Sequence, residues 1–162
     1  AYSNVQLSRY VAALANRGTV FELSLLDKMT DPEGNLLEDF TPEVSGHVEI
    51  ADSTWDAVQQ GMRAVVAEGS ARQIFRDLEV EIAGKTGTAQ ETRTRGNHAF
   101  FISYGPYTDP EICVTVNIPY GYTSSNAAAV AKNVYRFYYG YTDLDYILNT
   151  GALDASNVTI GD

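Results

Sequence analysis

Three extended segments follow one another in the second half of this chain, and they tie it to folds organised around a sheet. Val80 to Gln90 reads as extended, Ala99 to Tyr104 as a second strand, and Ile112 to Ile118, rich in β-branched residues, as a third. The last two are joined by a turn written Gly105-Pro106-Tyr107-Thr108-Asp109-Pro110. Helical patterns lie on either side of this block. Asn4 to Asn16 sets Val5, Tyr10, Val11, Leu14 and Ala15 near helical spacing, and Gly18 stands where a cap is expected. Ser53 is positioned to cap a helix running to about Glu68, with Trp55, Val58, Met62, Val65 and Val66 as its apolar stripe. Ala127 to Tyr139 predicts a closing helix apolar enough to lie on a sheet. Between the first two helices, Val20 to Met29 reads as a strand, Thr30 to Asn35 as a turn, Leu36-Leu37 as a short return strand and Pro42 to Gly46 as a loop. An EF-hand loop needs its glycine at the sixth position; Gly34 is fourth from Asp31, so this acidic turn is a hairpin turn rather than a calcium site.

At 162 residues the chain suits one domain, here residues 1–140, followed by an acidic tail over 141–162 with four aspartates and no Lys or Arg. Eleven Lys plus Arg against twenty-one Asp plus Glu leave a net charge of -10, which repels phosphate backbones, so no nucleic-acid partner is expected. No apolar run approaches the ~20 residues of a membrane helix. The single cysteine, Cys113, excludes an internal disulfide and reads as a buried, inert thiol. With His47 and His98 as the only histidines, no metal site and no cofactor are expected. The chain opens at Ala1 without a start methionine and reads as a piece of something longer.

The chemistry-bearing stretch is Ala83-Gly84-Lys85-Thr86-Gly87-Thr88-Ala89-Gln90. A phosphate-binding loop would need glycine at position 79, where the chain has Glu79, and a helix after Thr86, where the pattern is extended. The alternative is the K-T-G motif of serine acyl-transfer enzymes. There Lys85 supplies a fixed charge near a substrate carboxylate, and the Thr86 and Thr88 hydroxyls donate to it. Gly87 clears a side chain from the path of a peptide ligand. The Thr88 backbone N–H can act as an oxyanion donor, an interaction worth ~3 kcal/mol of barrier.

Four further segments join it in order: Val11 to Gly18, Val58 to Val66, Glu68-Gly69-Ser70-Ala71, and Asn97 to Pro106. Together they resemble the C-terminal part of a penicillin-binding protein transpeptidase domain, most like the class B, division- or elongation-type enzymes. The matches are to A-N-x-G, V-x-x-G-M-x-x-V-V, G-T-A, A-G-K-T-G-T-A-Q and H-A-W-F-x-G-x-x-P, with Glu68-Gly69-Ser70-Ala71 standing where the family usually has G-T-A. The resemblance implies an α+β fold of the serine β-lactamase-like type, with antiparallel strands flanked by helices. It implies a parent that cross-links peptidoglycan stem peptides ending in D-Ala-D-Ala through an acyl-serine, and that is acylated by β-lactams. Lys85 and Thr88 would be the catalytic contribution of this chain, and Thr86, Gly87 and Thr88 its substrate contacts. The parent would be membrane-anchored, with this region on the extracytoplasmic side of a bacterial plasma membrane.

The family's S-x-x-K and S-x-N motifs are not found in their places. No serine has Lys three residues on, and Ser124-Ser125-Asn126 follows K-T-G instead of preceding it and reads as a helix cap. The isolated chain is therefore expected to be inactive. Family topology also leaves the 111–118 strand without one neighbour, so the chain is expected to associate with the N-terminal half of the same domain or with itself through that edge. Two other readings stay open: a non-catalytic transpeptidase-like module that binds peptide or protein, and a fragment of a serine β-lactamase or D,D-carboxypeptidase. His98 is expected to be structural, Arg93 and Arg95 to border the substrate groove, and the tyrosines of Tyr135 to Tyr141 to serve packing and interface.

Overall fold

The structure, a computed structural model, describes residues 2–150. In chain order these form α1 (Asn4–Ala15), β1 (Thr19–Phe21), β2 (Lys28–Thr30), β3 (Leu36–Asp39), β4 (Val44–His47) and α2 (Asp52–Ala67). There follow α3 (Arg72–Phe75), β5 (Ala83–Ala89), β6 (His98–Gly105), β7 (Ile112–Ile118), α4 (Ser124–Tyr138) and α5 (Leu144–Thr150). The three strands expected in the second half are present, and they form one antiparallel sheet in the order β5-β6-β7.

Both faces of this sheet are covered. On one face Phe101, Ala99 and Val114 meet Phe75 of α3 and Ala127, Ala128, Ala131 and Tyr135 of α4 in a buried cluster. The three alanines bring the α4 backbone close to the strands, and Tyr135 fills the space left at its far end. On the other face Ala83 and Tyr104 meet Val11, Leu14 and Ala15 of α1 and Trp55 and Met62 of α2. Alternation along each strand sends neighbouring residues to opposite faces, so both cores are served by the same strands.

Helix α1 starts in a capping box, with Ser3 and Gln6 satisfying each other's backbone N–H groups. It ends where Arg17 and Gly18 take positive φ, 62° and 114°. A Cβ on Gly18 would stand 2.4 Å from the Val48 carbonyl oxygen, so only glycine fits between the helix end and the strand region beyond. Arg17 then reaches Asp52 and Asp56 of α2, at 3.2 and 2.8 Å.

The structure departs from the sequence expectations in several places. Val20 to Met29 is not one strand: β1 and β2 belong to two separate two-stranded ribbons, β1-β4 and β2-β3. Pro42 to Gly46 is not all loop, because Val44–His47 is the strand that β1 pairs with. The hairpin turn is as read; Asp31 accepts from the Asn35 backbone and side-chain N–H groups, and Gly34 takes a φ of 89°. Helix α2 begins one residue before Ser53, with Ala51 at the cap and no side-chain cap bond. Its stripe is Trp55, Gln59, Met62 and Val66 instead of one including Val58, because Gln59 Nε2 donates to the Leu14 and Ala15 carbonyls at the end of α1. Val58 is exposed. Helix α4 is capped by Thr123, which accepts from Ser125, with Asn126 donating to the Gly121 carbonyl. The segment after Gly140 begins with α5; the rest of the expected acidic tail, residues 151–162, lies outside the described residues.

Candidate active site

Strand β5 carries Lys85, Thr86, Gly87 and Thr88, and it is an edge strand of the sheet. Its one ladder runs to β6, with Lys85 opposite Ile102, Thr86 opposite Phe101, Gly87 opposite Phe100 and Thr88 opposite Ala99. The outer edge of the strand has no strand partner among the described residues, so its N–H and C=O groups there can meet an extended ligand.

The first residues of the strand anchor it. Ala83 and Gly84 are buried, and a Cβ on Gly84 would lie 2.5 Å from Phe101 Cζ. Glycine at that position lets β5 lie flat against the Phe101 ring. From Lys85 onward the strand emerges into solvent. Alternation places Lys85 and Gly87 on the α1 side of the sheet and Thr86 and Thr88 on the α3 and α4 side. Lys85 Nζ donates to the Thr86 carbonyl at 2.7 Å, and the ammonium stands beside a concavity lined by Tyr2, Leu7, Gly87, Phe100 and Ile102. A Cβ on Gly87 would touch Phe100 Cβ at 3.3 Å, so glycine keeps the strand surface open there.

Thr86 Oγ1 lies 3.0 Å from Ser70 Oγ, at the corner between α2 and α3. That contact brings Glu68-Gly69-Ser70-Ala71 onto the K-T-G strand. Arg63 of α2 donates to the Ile82 carbonyl at 3.2 Å and pairs with Glu81, clasping the segment that leads into β5. Of the segments singled out in the sequence, α2 reaches residues 81–82, Ser70 reaches Thr86 and β6 runs along β5, while the end of α1 is held by α2.

His98 opens β6 opposite Ala89. The Tyr120 backbone N–H donates to His98 Nδ1 at 3.3 Å, so the ring proton sits on Nε2, which reaches Glu91 Oε2 at 3.3 Å. Arg95 Nη1 donates to Tyr120 Oη at 2.8 Å, and Tyr120 Oη donates to Glu91 Oε2 at 3.4 Å. Of the two hairpin arginines, Arg95 is therefore engaged by protein, whereas Arg93 is exposed and makes no hydrogen bond or ion pair among the described residues. Tyr120 and Glu91 were missed in the sequence. Pro119-Tyr120-Gly121 signals a turn, but no local pattern tells which strand connection the tyrosine meets. Cys113 is only partly buried, packed on the α1 side of the sheet, where burial pushes its thiol up to about 11. Among the described residues no group of three or more His, Cys, Asp or Glu is arranged to hold a metal ion, and no helix is long and apolar enough to cross a membrane.

An antiparallel sheet packed between helices, with K-T-G on an edge strand, is the frame on which the family assignment rests. Residues 1–136 match the penicillin binding protein transpeptidase domain, and the chain belongs to that family. The chain is similar to the peptidoglycan D,D-transpeptidase MrdA of Haemophilus influenzae, at 32% identity over 83% of this chain and 23% of that protein. Penicillin-binding protein 2B from Streptococcus pneumoniae strain R6 superposes with a TM-score of 0.76 at 25% identity, covering 88% of this chain and 25% of that one. An imipenem acyl-enzyme complex of penicillin-binding protein A from M. tuberculosis shares the fold, with a TM-score of 0.69 at 20% identity over 82% of this chain and 30% of that one. The chain therefore spans about a quarter of the length of these relatives.

Proposed function

We propose that this chain is the K-T-G-bearing part of a peptidoglycan D,D-transpeptidase whose nucleophilic serine and general base lie outside it. The observation that carries the proposal is the free outer edge of β5, which presents Lys85 to Thr88 with a backbone ladder on one side only. A stem peptide ending in D-Ala-D-Ala adds to that edge as a strand, and Lys85 attracts its terminal carboxylate. Thr86 shares its hydroxyl with Ser70, so in this chain the two hydroxyls form the carboxylate's neighbourhood together. The Thr88 N–H polarises the scissile carbonyl. The serine hydroxyl from the missing part attacks that carbonyl, D-alanine leaves with a proton, and an amine from a neighbouring strand later displaces the serine. β-Lactams acylate the same serine. Such an enzyme works on the extracytoplasmic face of a bacterial plasma membrane, held there by an anchor in the remainder of the protein.

The outer edge of β7 is the other edge of the sheet without a strand partner among the described residues. We assign it to the N-terminal half of the same domain, with self-association as the substitute in isolation. A stable, dilute monomer in sedimentation would count against that assignment.

The test of function is intact mass after incubation with benzylpenicillin. The 162-residue chain alone is expected to form no adduct. With its upstream half added, an adduct is expected on that half. An adduct on the 162-residue chain itself would make one of its own serines or Cys113 the nucleophile and overturn the proposal. No adduct on either piece would favour a non-catalytic, peptide-binding module.

A further inference from the structure

The turn between β7 and α4 holds two tyrosines in left-handed backbone conformations, Tyr120 with φ 54° and Tyr122 with φ 63°. Residues with a Cβ adopt this region only where their surroundings hold them there. What holds them is the β5–β6 hairpin. The Tyr122 N–H donates to the Asn97 carbonyl at 2.9 Å, and its ring lies so close to Gly96 that a Cβ there would stand 3.2 Å away. Tyr120 makes three polar contacts, to His98, Glu91 and Arg95, and its ring lies 4.9 Å from the His98 ring and 5.4 Å from the Arg95 guanidinium carbon.

These contacts fall where β5 is least restrained. Glu91 lies just beyond Ala89, the last residue of the strand, and His98 is the residue paired with Ala89. Thr88 precedes it, exposed, with no strand on its outer side among the described residues. Among the described residues, the β6 ladder and this cluster are what adjoins the Thr88–Ala89 end of the strand, while the Ser70–Thr86 contact restrains it further back. We infer that Tyr120, acting through Glu91 and His98, is a positioning residue that fixes the Thr88 N–H against the reacting carbonyl. This inference rests on the transpeptidase reading above. Glu91 and Tyr120 are exposed, so their hydrogen bonds contribute little to global stability. The effect of the cluster is local: it sets the end of β5.

The test uses the protein that carries this chain together with its upstream half, with benzylpenicillin as probe, and separates the limiting acylation rate from the half-saturating concentration. Tyr120→Phe removes the hydroxyl link and keeps the ring and the backbone bond to His98. Removing an oxyanion donor outright costs ~100-fold or more, so loosening one is expected to lower the limiting rate about threefold to tenfold. Half-saturation should stay unchanged, because the alignment counts in the transition state. Glu91→Ala should act alike, Glu91→Gln should recover part of the rate through its amide oxygen, and Tyr120→Phe with Glu91→Ala should be no worse than either alone. An unchanged limiting rate in both single variants, or a fall only in melting temperature, overturns the inference. If the unaltered protein is not acylated at all, the functional reading fails, and the positioning by Tyr120 is judged on the 162-residue chain by NMR. The expected result there is a His98 ring protonated on Nε2 and Thr88 and Ala89 amide signals that move in Tyr120→Phe; unmoved signals overturn the inference.

Discussion

Strands β6 and β3 are both rich in large apolar residues, yet Phe101 and Tyr104 of β6 are fully buried while Leu36 and Leu37 of β3 are more than half exposed. The difference lies in what surrounds them. β6 is the central strand of its sheet, paired on both sides and covered by helices on both faces. β3 pairs with β2 alone, in a ribbon whose residues are all exposed. The sheet is therefore held by burial, each large side chain contributing about 1.5–3 kcal/mol. The ribbons are held by turn chemistry and local hydrogen bonds, such as Asp31 with Asn35 and the Ser45 hydroxyl with the Val20 carbonyl.

The sharpest way to break that contrast is Phe101→Ala. Phe101 stacks on Phe75 with ring centroids 5.4 Å apart and touches no solvent. Its truncation should cost about 3–5 kcal/mol and lower the denaturant midpoint of the whole domain. A loss under about 1 kcal/mol would mean that the sheet core is loosely packed and that burial is not what holds it.

The same division explains what was legible in the sequence. Strands β5, β6 and β7 and helices α1, α2 and α4 were readable because their periodicity is set by burial, and burial is written locally in the order of apolar residues. The ribbons were half readable. Asp31-Pro32-Glu33-Gly34 announces its own hairpin, whereas β4, with Ser45, Gly46 and His47, has no apolar alternation and is a strand only because β1 lies beside it. The site followed the same rule. Lys85 to Thr88 stood out as a motif, but Tyr120 reaches His98 across 22 positions and Ser70 reaches Thr86 across 16, distances that no local pattern encodes.

Two serines sharpen the comparison further, because each donates its hydroxyl to a carbonyl on the neighbouring strand. Ser103 donates to Val114 at 3.1 Å and also accepts from Tyr135 Oη at 2.9 Å, all out of water; Ser45 donates to Val20 at 3.0 Å in an exposed ribbon. Ser103→Ala leaves the buried Tyr135 hydroxyl without its partner and should cost about 1–3 kcal/mol. Tyr135→Phe should cost less, because Ser103 keeps its bond to Val114. Ser45→Ala should stay within about 0.5 kcal/mol. Equal losses for Ser103→Ala and Ser45→Ala, measured by chemical denaturation, would erase the distinction between the regions.

Titration separates them by sign. Burial raises the Cys113 thiol from 9.0 to about 11 and the Tyr104 hydroxyl from 10.0 to about 12. As pH rises past 9.0 the unfolded chain releases these protons first, so the sheet's stability is whole below that pH and declines toward about 11 and then about 12. After allowance for partial exposure, Cys113 should account for about 1 kcal/mol of that decline. Asp31 behaves oppositely: its hydrogen bonds from Asn35 hold it below the usual 3.8, so its contribution to the β2–β3 turn is present above that pH and fades in acid. Amide NMR across pH 3 to 11 should show Asn35 signals changing at the acid end and sheet signals weakening at the alkaline end. Cys113→Ala removing none of the alkaline decline would count against burial as its source.

The smallest expected effect is also the most exacting. Leu25 lies between the two ribbons and is fully exposed, at 104% of its reference area. Leu25→Ala therefore removes no buried surface and opens no cavity, and the stability of this chain should change by less than about 0.5 kcal/mol. The contrast with Phe101→Ala then spans a range that composition alone does not separate, since both substitutions remove a large apolar side chain. A loss above about 1 kcal/mol at Leu25 would place the ribbons inside the cooperative core, and burial would no longer distinguish the two regions.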